Sequence, residues 1–359
     1  MCCFRRLCVG LDPFPPPFPG QKSLSIIYLK GANGELKSKV LRRALLLLAV
    51  LTLFVCSVGA HAAPIRVGIT QIVEHPSLDQ ARQGFIDRMT ELGYVEGVDI
   101  VYDIQSAQGD LTTAQTIARK FQSDGVDLVL AIATPTAQAA AHVIKDTPIL
   151  ITAVTDPVAA ELVESIERPG TNVTGTSDLT PVKAQLELLK EIVPSATRVG
   201  IVYNAGEVNS VVQVEIARQA AAELGLTLIE ATAANSSEVL QAAQSLQGRV
   251  DAIYVPTDNT VVSALESVVL VAERAKLPLI AGEADSVAKG ALATIGIDYY
   301  LLGRQTADIA HRVLQGEDPA EISIEYQEEQ NVVVNLGAAQ RMNVTIPDAV
   351  LAKASQILE

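Results

Sequence analysis

The four residues Arg66-Val67-Gly68-Ile69 recur 132 residues later as Arg198-Val199-Gly200-Ile201. Three further pairs keep the same order, at offsets of 132, 124 and 130 residues: Glu91-Leu92-Gly93 with Glu223-Leu224-Gly225, Val126-Asp127 with Val250-Asp251, and Pro148-Ile149-Leu150-Ile151 with Pro278-Leu279-Ile280. Each match is weak alone, but four matches in register indicate an internal duplication. The sequence therefore predicts two similar halves.

Short apolar runs alternate with longer segments of helical period in both halves. The predicted strands are Ile65–Thr70, Val98–Ile104, Val126–Ala133, Pro148–Val154, Arg198–Tyr203, Leu226–Glu230, Val250–Val255, Leu277–Ala281 and Leu292–Ile297. Near-continuous apolar strands are typical of parallel sheets that helices cover on both faces. The predicted fold class is therefore α/β, with two doubly wound parallel-sheet lobes.

The last part of the chain predicts a hinge between these lobes. From about Leu292 the sequence belongs to neither repeat, and a tail that adds elements to both halves crosses between them several times. The predicted limits are 64–178 for lobe 1, with a return of about 298–322, and 179–297 for lobe 2, with the C-terminal 325–359. Parallel sheets bind ligands at the carboxyl ends of their strands, so two facing lobes enclose a cleft.

The start of the chain predicts export. A basic segment from Lys37 to Arg43 precedes an apolar run, Ala44–Val58, and the small-residue site Ala60-His61-Ala62. These are the three parts of a secretory signal peptide. Residues 37–62 are therefore predicted to be a signal peptide, residues 1–36 a mis-annotated extension, and the location of the mature chain the periplasm.

Two forms of membrane attachment are disfavoured. The apolar run has 15 residues, whereas a helix that crosses a bilayer needs roughly 20. Lipid attachment at Cys56 is also a poor fit, because the bulky Val55 precedes this cysteine where a small residue is normal.

Charge and cysteine content narrow the class of protein. The chain has 359 residues with 27 basic and 41 acidic side chains, a formal net charge of −14. Residues 1–62 hold eight basic and two acidic residues and all four cysteines, so residues 63–359 keep 19 basic and 39 acidic residues, a net charge of −20, and no cysteine. Such acidity argues against nucleic acid as a partner, and a fold without cysteine must depend on a packed core.

The sequence lacks the signatures of common catalytic sites. It has no GxxxxGK[ST] motif, no GxGxxG after a strand and no GxSxG elbow. His75, His142 and His311 are far apart and lack metal-ligand spacing, although His75, in the first strand-to-helix loop, is a candidate for lining the cleft. We therefore expect that the protein is not an enzyme and that it binds neither a cofactor nor a metal ion.

Several motifs also carry a family resemblance. They are the segment from Val126 to Ala140, Thr155-Asp156-Pro157-Val158, Arg168–Gly175, Val199–Asn204, Tyr254–Thr260, Ala281-Gly282-Glu283 and Gly303–Ala307. Together they resemble the substrate-binding proteins of ABC transporters of the TrpX type. The resemblance implies a type I periplasmic-binding-protein fold and an amino-acid ligand, often a hydrophobic or aromatic one.

The residues at the predicted cleft suit a zwitterion. Thr134 and Thr136 stand at a strand end where a helix begins, and the free amides of a helix N-terminus can hold a carboxylate. Asp258 ends the matching strand of the second half and suits an ammonium group, with Glu283 as a second acid. The alternative for Thr134 and Asp258 is that they only cap their helices.

Four further residues complete the predicted ligand site. Gln71 and Asn204 end the first strands of the two halves and so line opposite jaws. Asp156 follows another strand and is a cap, a ligand group or both. Tyr300, in the pair Tyr299-Tyr300, follows a strand near the crossing between lobes, where its ring stacks on an apolar side chain or packs at the hinge.

These features predict an extracytoplasmic solute-binding protein of an ABC importer. It closes its lobes on a zwitterionic ligand, which the resemblance implies is a hydrophobic or aromatic amino acid, and presents the closed form to an ABC permease in the inner membrane. A monomer is expected. The alternative is a ligand-sensing ectodomain that is the partner of a membrane signalling protein, which the same fold permits.

Overall fold

A computed structural model describes residues 63–327 and 330–359. The predicted extension (1–36), the predicted signal peptide (37–62) and Cys56 lie outside the described residues. In the described ranges no helix is long and apolar enough to cross a membrane.

The first sheet has six strands, all parallel, in the order β11-β5-β4-β3-β1-β2. Its strands are β1 (Ile65–Gln71), β2 (Ile100–Ser106), β3 (Leu128–Ile132), β4 (Ile149–Thr152), β5 (Val173–Ser177) and β11 (Glu325–Tyr326). The helices of this half are α1 (Pro76–Glu91), α2 (Leu111–Asp124), α3 (Thr134–Val143) and α10 (Tyr299–Leu314). They enclose one hydrophobic core.

The second sheet has seven strands in the order β13-β12-β10-β9-β8-β6-β7 and is parallel except where β10 meets β12. Its strands are β6 (Arg198–Tyr203), β7 (Thr227–Thr232), β8 (Ala252–Val255), β9 (Leu279–Ala281), β10 (Ala293–Gly296), β12 (Asn331–Asn335) and β13 (Gln356–Leu358). Its helices are α4 (Val182–Ile192), α5 (Val208–Glu223), α6 (Val239–Ser245), α7 (Asn259–Ser263), α8 (Leu265–Ala275), α9 (Ala284–Ala288), α11 (Leu336–Met342) and α12 (Asp348–Leu351), with 3₁₀ turns at Ser236–Glu238 and, beside the first sheet, Pro319–Glu321. A second core fills this half.

The two sheets repeat the same strand order. The order β5-β4-β3-β1-β2 of the first corresponds to β10-β9-β8-β6-β7 of the second, so β1 matches β6 and β3 matches β8. In doubly wound sheets of this order the ligand crevice opens between the first and third strands, where the connections change direction. The topology therefore places a crevice after β1 and β3 in one half and after β6 and β8 in the other.

The repeated sequence motifs have the same structural role in both halves. Asp127 accepts a hydrogen bond from the backbone nitrogen of Arg66 at 2.8 Å, and Asp251 accepts one from that of Arg198 at 2.9 Å. In each half this contact ties the start of the third strand to the start of the first. The duplication thus preserves the contacts that set the register of the central strands.

We expect Asp251→Asn to lower the free energy of unfolding by about 2 kcal/mol, because Asp251 makes four charge-assisted hydrogen bonds. Its carboxylate accepts from the nitrogen and hydroxyl of Thr197, and from the nitrogen and guanidinium of Arg198. These contacts, the Arg198 guanidinium first, hold the pKa of Asp251 well below its usual range. Urea unfolding measures the loss. Asp127→Asn is the matched control with the smaller expected effect, and equal losses would contradict this account.

Over residues 63–359, the order of the described strands shows three passages of the chain between the two sheets. The chain crosses after β5, between β10 and α10, and between β11 and β12, and α10 packs against α1 on the first sheet. The predicted lobe limits stay a prediction. One detail differs from them, since residues 325–326, assigned above to lobe 2, pair with β5 and extend the first sheet.

Candidate functional site

The carboxyl ends of both sheets face a cleft that contains two pockets sharing one residue, Asn259. The inner pocket is lined by His75, Leu78, Ala153, Thr155, Asp178, Asn209, Thr257, Asp258, Asn259, Val262, Glu283 and Tyr299. The outer pocket is lined from the first half by Ile72, Val73, Gln108, Gly109, Leu111, Pro135 and Gln138, and from the second by Asn204–Glu207, Thr232–Ser236, Glu238, Asn259, Thr260 and Ser263. The outer pocket thus lies at the crevices that the strand order indicates, and the inner pocket extends to the ends of β4, β5 and β9.

The two pockets differ in size. The outer pocket has a volume of about 490 Å³ and is open to solvent, which is within the usual range for small-molecule sites. The inner pocket encloses about 10 Å³, which is room for about one water molecule.

The inner pocket is strongly acidic. Asp178, Asp258 and Glu283 line it and are at most 4% exposed. Within the described part of the chain, no lysine or arginine lines either pocket. Buried carboxylates without a cation are costly, so this pocket favours a positively charged group.

Asp178 lies just beyond the end of β5. Its Oδ1 accepts a hydrogen bond from the Thr155 hydroxyl at 2.9 Å, and its Oδ2 accepts one from the Tyr299 hydroxyl at 2.7 Å. Burial raises the pKa of this carboxyl above its ordinary value. Each oxygen keeps a second lone pair for a ligand.

Glu283 lies on the opposite wall, between β9 and α9. One of its oxygens accepts a hydrogen bond from the Ser286 hydroxyl at 2.9 Å. Burial, with a smaller contribution from the nearby Asp285, raises the pKa of Glu283 to about 7. The other oxygen has capacity for a further donor.

Asp258 is already engaged inside the second half. Its Oδ1 caps α7 through the Val261 nitrogen at 2.7 Å, and its Oδ2 accepts from the Asn204 nitrogen and the Ser210 hydroxyl, both at 2.6 Å. Burial first, and the neighbouring Glu207 second, raise its pKa. Asp258 therefore holds the ends of β6 and β8 together at the pocket wall.

Two polar atoms at the inner pocket lack partners among the described residues, namely His75 Nδ1 and Asn209 Oδ1. Burial lowers the pKa of His75 to about 4, so its imidazole is neutral near pH 7. Because buried polar atoms are almost always hydrogen-bonded, both atoms are suited to a ligand.

Helix α3 points its N-terminus at the cleft. Its first residue, Thr134, is buried, and the hydroxyl has no partner in the described ranges. The preceding residue, Ala133, has φ of 79°, a conformation that non-glycine residues rarely adopt and that concentrates at functional sites. No side chain caps the helix within the described chain, so its first amides are free for an anion.

Residues 66–358 match the family model for the ABC transporter substrate binding protein. The chain belongs to this family. A relative in Clostridioides difficile (strain R20291), named tyrosine-binding protein, is 47% identical over 75% of this chain and 78% of its own length. Members of the family are solute-binding proteins rather than enzymes, which confirms the prediction of no enzyme.

Solved structures confirm the fold class as the type I periplasmic-binding-protein fold. The ABC domain in complex with L-Trp from Streptococcus pneumoniae is 35% identical, with a TM-score of 0.80 over 82% of this chain and 100% of that one. A ligand-free, open substrate-binding protein from Clostridium difficile is 44% identical, with a TM-score of 0.63 over 82% and 99%. The family prediction is thereby confirmed too.

The TM-score is higher for the Trp complex than for the open relative, although the sequence of the complex is less similar and both comparisons cover the same share of this chain.

Three of the predicted ligand residues line the two pockets. Asp258 and Glu283 line the inner pocket, and Asn204 lines the outer one. The side chain of Asn204 bridges the Gly206 nitrogen and the Thr260 hydroxyl, both at 2.8 Å. Its remaining capacity for a ligand is therefore small.

Two predicted residues make their hydrogen bonds inside the first half. Gln71 is fully buried, where it donates to Asp79 and accepts from Arg82. Thr136 donates to the carbonyl of Ile132 at 2.6 Å. Neither side chain lines a pocket of the described cleft.

Two more predicted residues lie away from the inner pocket. Asp156 caps the turn that follows it by accepting from the nitrogens of Val158 and Ala159. Tyr300 donates its hydroxyl to Asp87 at 2.9 Å on the side where α10 meets α1. The tyrosine that lines the inner pocket is its neighbour, Tyr299.

Asp178 and Asn209 were not predicted from the sequence. Asp178 directly follows Val173–Ser177, which has too few apolar residues to be predicted as a strand. An acid just after a strand is the same signal that singled out Asp156, so recognition of β5 would have found it. Asn209 lies inside α5, and nothing in its sequence context marks it.

Residues 63–327 and 330–359 contain no group of three or more His, Cys, Asp or Glu side chains arranged to hold a metal ion.

Proposed function

We propose that this protein is the substrate-binding protein of an ABC importer and that its ligand is an aromatic amino acid. The observation that carries the proposal is the inner pocket, whose polar walls come from both lobes and contain carboxylates but no basic side chain among the described residues. A relative named for tyrosine binding and a solved complex with L-Trp support the aromatic class.

The three groups of such a ligand, its ammonium, carboxylate and ring, suit the two pockets and the N-terminus of α3. The ammonium group lies in the acidic inner pocket, and the carboxylate faces the N-terminus of α3 near Thr134. The ring lies in the outer pocket, where Val73, Leu111 and Pro135 provide apolar surface. Of the residues predicted from the sequence, Thr134, Asn204, Asp258 and Glu283 are retained as proposed contacts or their direct supports.

Transport then follows from closure of the lobes. A ligand that contacts both lobes binds the closed form more tightly and shifts the population towards it. The closed form is the one that an ABC permease in the inner membrane recognises. We propose a periplasmic location, export by the signal peptide of residues 37–62, and a monomeric protein.

Calorimetric titration of the purified protein with the twenty amino acids tests this function, after unfolding and refolding to remove any ligand carried through purification. We expect saturable one-site binding of L-Tyr or L-Trp with a negative heat-capacity change, because the ring and the closing lobes bury apolar surface. L-Ala, which has the same zwitterion without a ring, is the control and should bind far more weakly. Flat titrations with every aromatic amino acid would overturn the proposal.

A further inference from the structure

We infer that Asp178, Glu283 and Asn209 form the acceptor set for the ligand's primary ammonium group and hold it between the lobes. This inference rests on the proposed function, since it assigns one end of the proposed ligand. It is carried by the spare hydrogen-bonding capacity of these three side chains, all of which line the inner pocket.

The two carboxylates differ from Asp258 in how much capacity remains. Each oxygen of Asp178 accepts one hydrogen bond, and Glu283 accepts one from Ser286. Asp258 already accepts three, two of them from backbone nitrogens that position β6 and α7. A cation in this pocket therefore finds free lone pairs on Asp178 and Glu283.

The third acceptor is fixed by its surroundings. Asn209 Nδ2 faces acceptors, the Glu207 carboxylate at 3.2 Å and the Thr257 carbonyl at 3.1 Å. The amide therefore has only one favourable orientation, with the oxygen turned away from these groups. That oxygen is buried and finds no hydrogen-bond donor in the described part of the chain.

The count of groups matches a primary ammonium. An ammonium carries three N–H donors, and the pocket offers two carboxylates and one amide oxygen as acceptors. The other titratable groups around it are Asp258, the neutral His75, Tyr299 and, behind Glu283, Asp285 with Lys289. Among the described residues, no titratable group that lines the inner pocket carries a positive charge that would compete with the ammonium.

The position of the three groups couples recognition to closure. Asp178 follows β5 of the first sheet, whereas Glu283 follows β9 of the second sheet and Asn209 lies on α5 of the same half. An ammonium bound to all three bridges the lobes. Without it the two carboxylates share one small pocket, so the same group that is recognised also relieves their repulsion.

The ligand side is tested with the unmodified protein by calorimetry. L-Tyr is compared with 3-(4-hydroxyphenyl)propionate, which lacks only the amino group, and with tyramine, which lacks only the carboxylate. We expect the desamino compound to bind at least about 1,000-fold more weakly than L-Tyr, because the loss of the amino group leaves buried acceptors unpaired. We also expect tyramine to bind more tightly than the desamino compound. Equal affinity of L-Tyr and the desamino compound would overturn the inference.

The protein side is tested with the isosteric variants Asp178→Asn and Glu283→Gln. We expect each to weaken L-Tyr binding by about 30-fold or more, whereas the control Asp318→Asn, an exposed cap far from the pocket, should leave it unchanged. Wild-type affinity in both pocket variants would contradict the inference. Where a variant does not fold, the comparison of ligands on the unmodified protein still decides.

The outcomes separate this inference from the proposed function. If another class of amino acid binds and the pocket variants weaken it, the ammonium site is supported and the aromatic ligand is overturned. If L-Tyr binds with no need for its amino group, the proposed function holds and the ammonium site is overturned. If no amine or amino acid binds, both are overturned.

Discussion

Gly303→Ala is expected to lower the free energy of unfolding by about 3 kcal/mol. Gly303 lies in α10 where this helix meets α1, and a Cβ atom there would lie 2.7 Å from the Ala81 carbonyl carbon and overlap the oxygen. Alanine normally stabilises a helix interior by about 1 kcal/mol over glycine. The clash outweighs this gain because the neighbour is backbone, which cannot rotate away. Urea unfolding measures the difference.

Gly337→Ala is the matched control. Gly337 also lies in a helix, α11, but the nearest atom to an added Cβ is the flexible end of Arg341 at 3.1 Å. A neutral or slightly stabilising effect is expected there. A Gly303→Ala protein as stable as the unmodified one would show that α1 and α10 have room to separate.

This close contact explains how the chain returns to the first half. Gly84 on α1 faces the Tyr300 backbone as closely as Gly303 faces Ala81, so the two helices meet backbone to backbone. This close backbone contact holds α10 against α1, and so against the first sheet, after the chain has left the second sheet. The same packing turns Tyr300 towards α1 and leaves Tyr299 at the inner pocket.

Most of the fold is predictable because it rests on local patterns. All nine strands expected from apolar runs exist, and their ends lie within two residues of the predicted ones. The strands that escaped prediction are Val173–Ser177, Glu325–Tyr326, Asn331–Asn335 and Gln356–Leu358, and all but the valine-rich Asn331–Asn335 are polar or very short. They add to edges that long-range pairing defines, and no local pattern encodes that pairing.

The site is predictable only as a location. The rule that ligands lie beyond strand ends led to Asp258 and Glu283, which line the inner pocket. The rule gives no information on whether the side chain already makes hydrogen bonds inside the protein. Gln71 stands at a strand end too, but Asp79 and Arg82 occupy its amide, and both come from a helix whose packing the sequence does not reveal.

Glu283→Gln is expected to stabilise the ligand-free protein at pH 8 by about 3 kcal/mol and to have little effect near pH 4. Burial raises the pKa of Glu283 from an ordinary 4.5 to about 7 in the folded protein. The folded state therefore binds this proton more tightly than the unfolded state does. Its stabilising contribution is complete below about pH 4.5 and is lost as the pH rises through about 7, whereas glutamine stays neutral throughout.

His75, in the same pocket, changes the stability of the protein with pH in the opposite direction to Glu283. Its pKa falls from 6.5 to about 4 on burial, so its contribution is complete above 6.5 and is lost as the pH falls through about 4. Between about pH 4.5 and 6.5 His75 therefore partly offsets the loss from Glu283, whereas Asp178 and Asp258, whose pKa values burial also raises, act in the same direction as Glu283. The Glu283→Gln variant removes the contribution of Glu283, so its stability relative to the unmodified protein should rise with pH over this range.

Urea unfolding of both proteins at a series of pH values from 4 to 8 checks this, and the difference between them isolates Glu283 from the other acids of the pocket. The control is Glu91→Gln, since Arg304 and Arg88 lower the pKa of the exposed Glu91 to about 2. Its difference from the unmodified protein should be constant between pH 5 and 8. A Glu283→Gln difference that is also constant would mean that Glu283 is not the buried acid described above. A variant that gains stability while it loses ligand would instead show that this carboxylate is retained for binding at the expense of the empty fold.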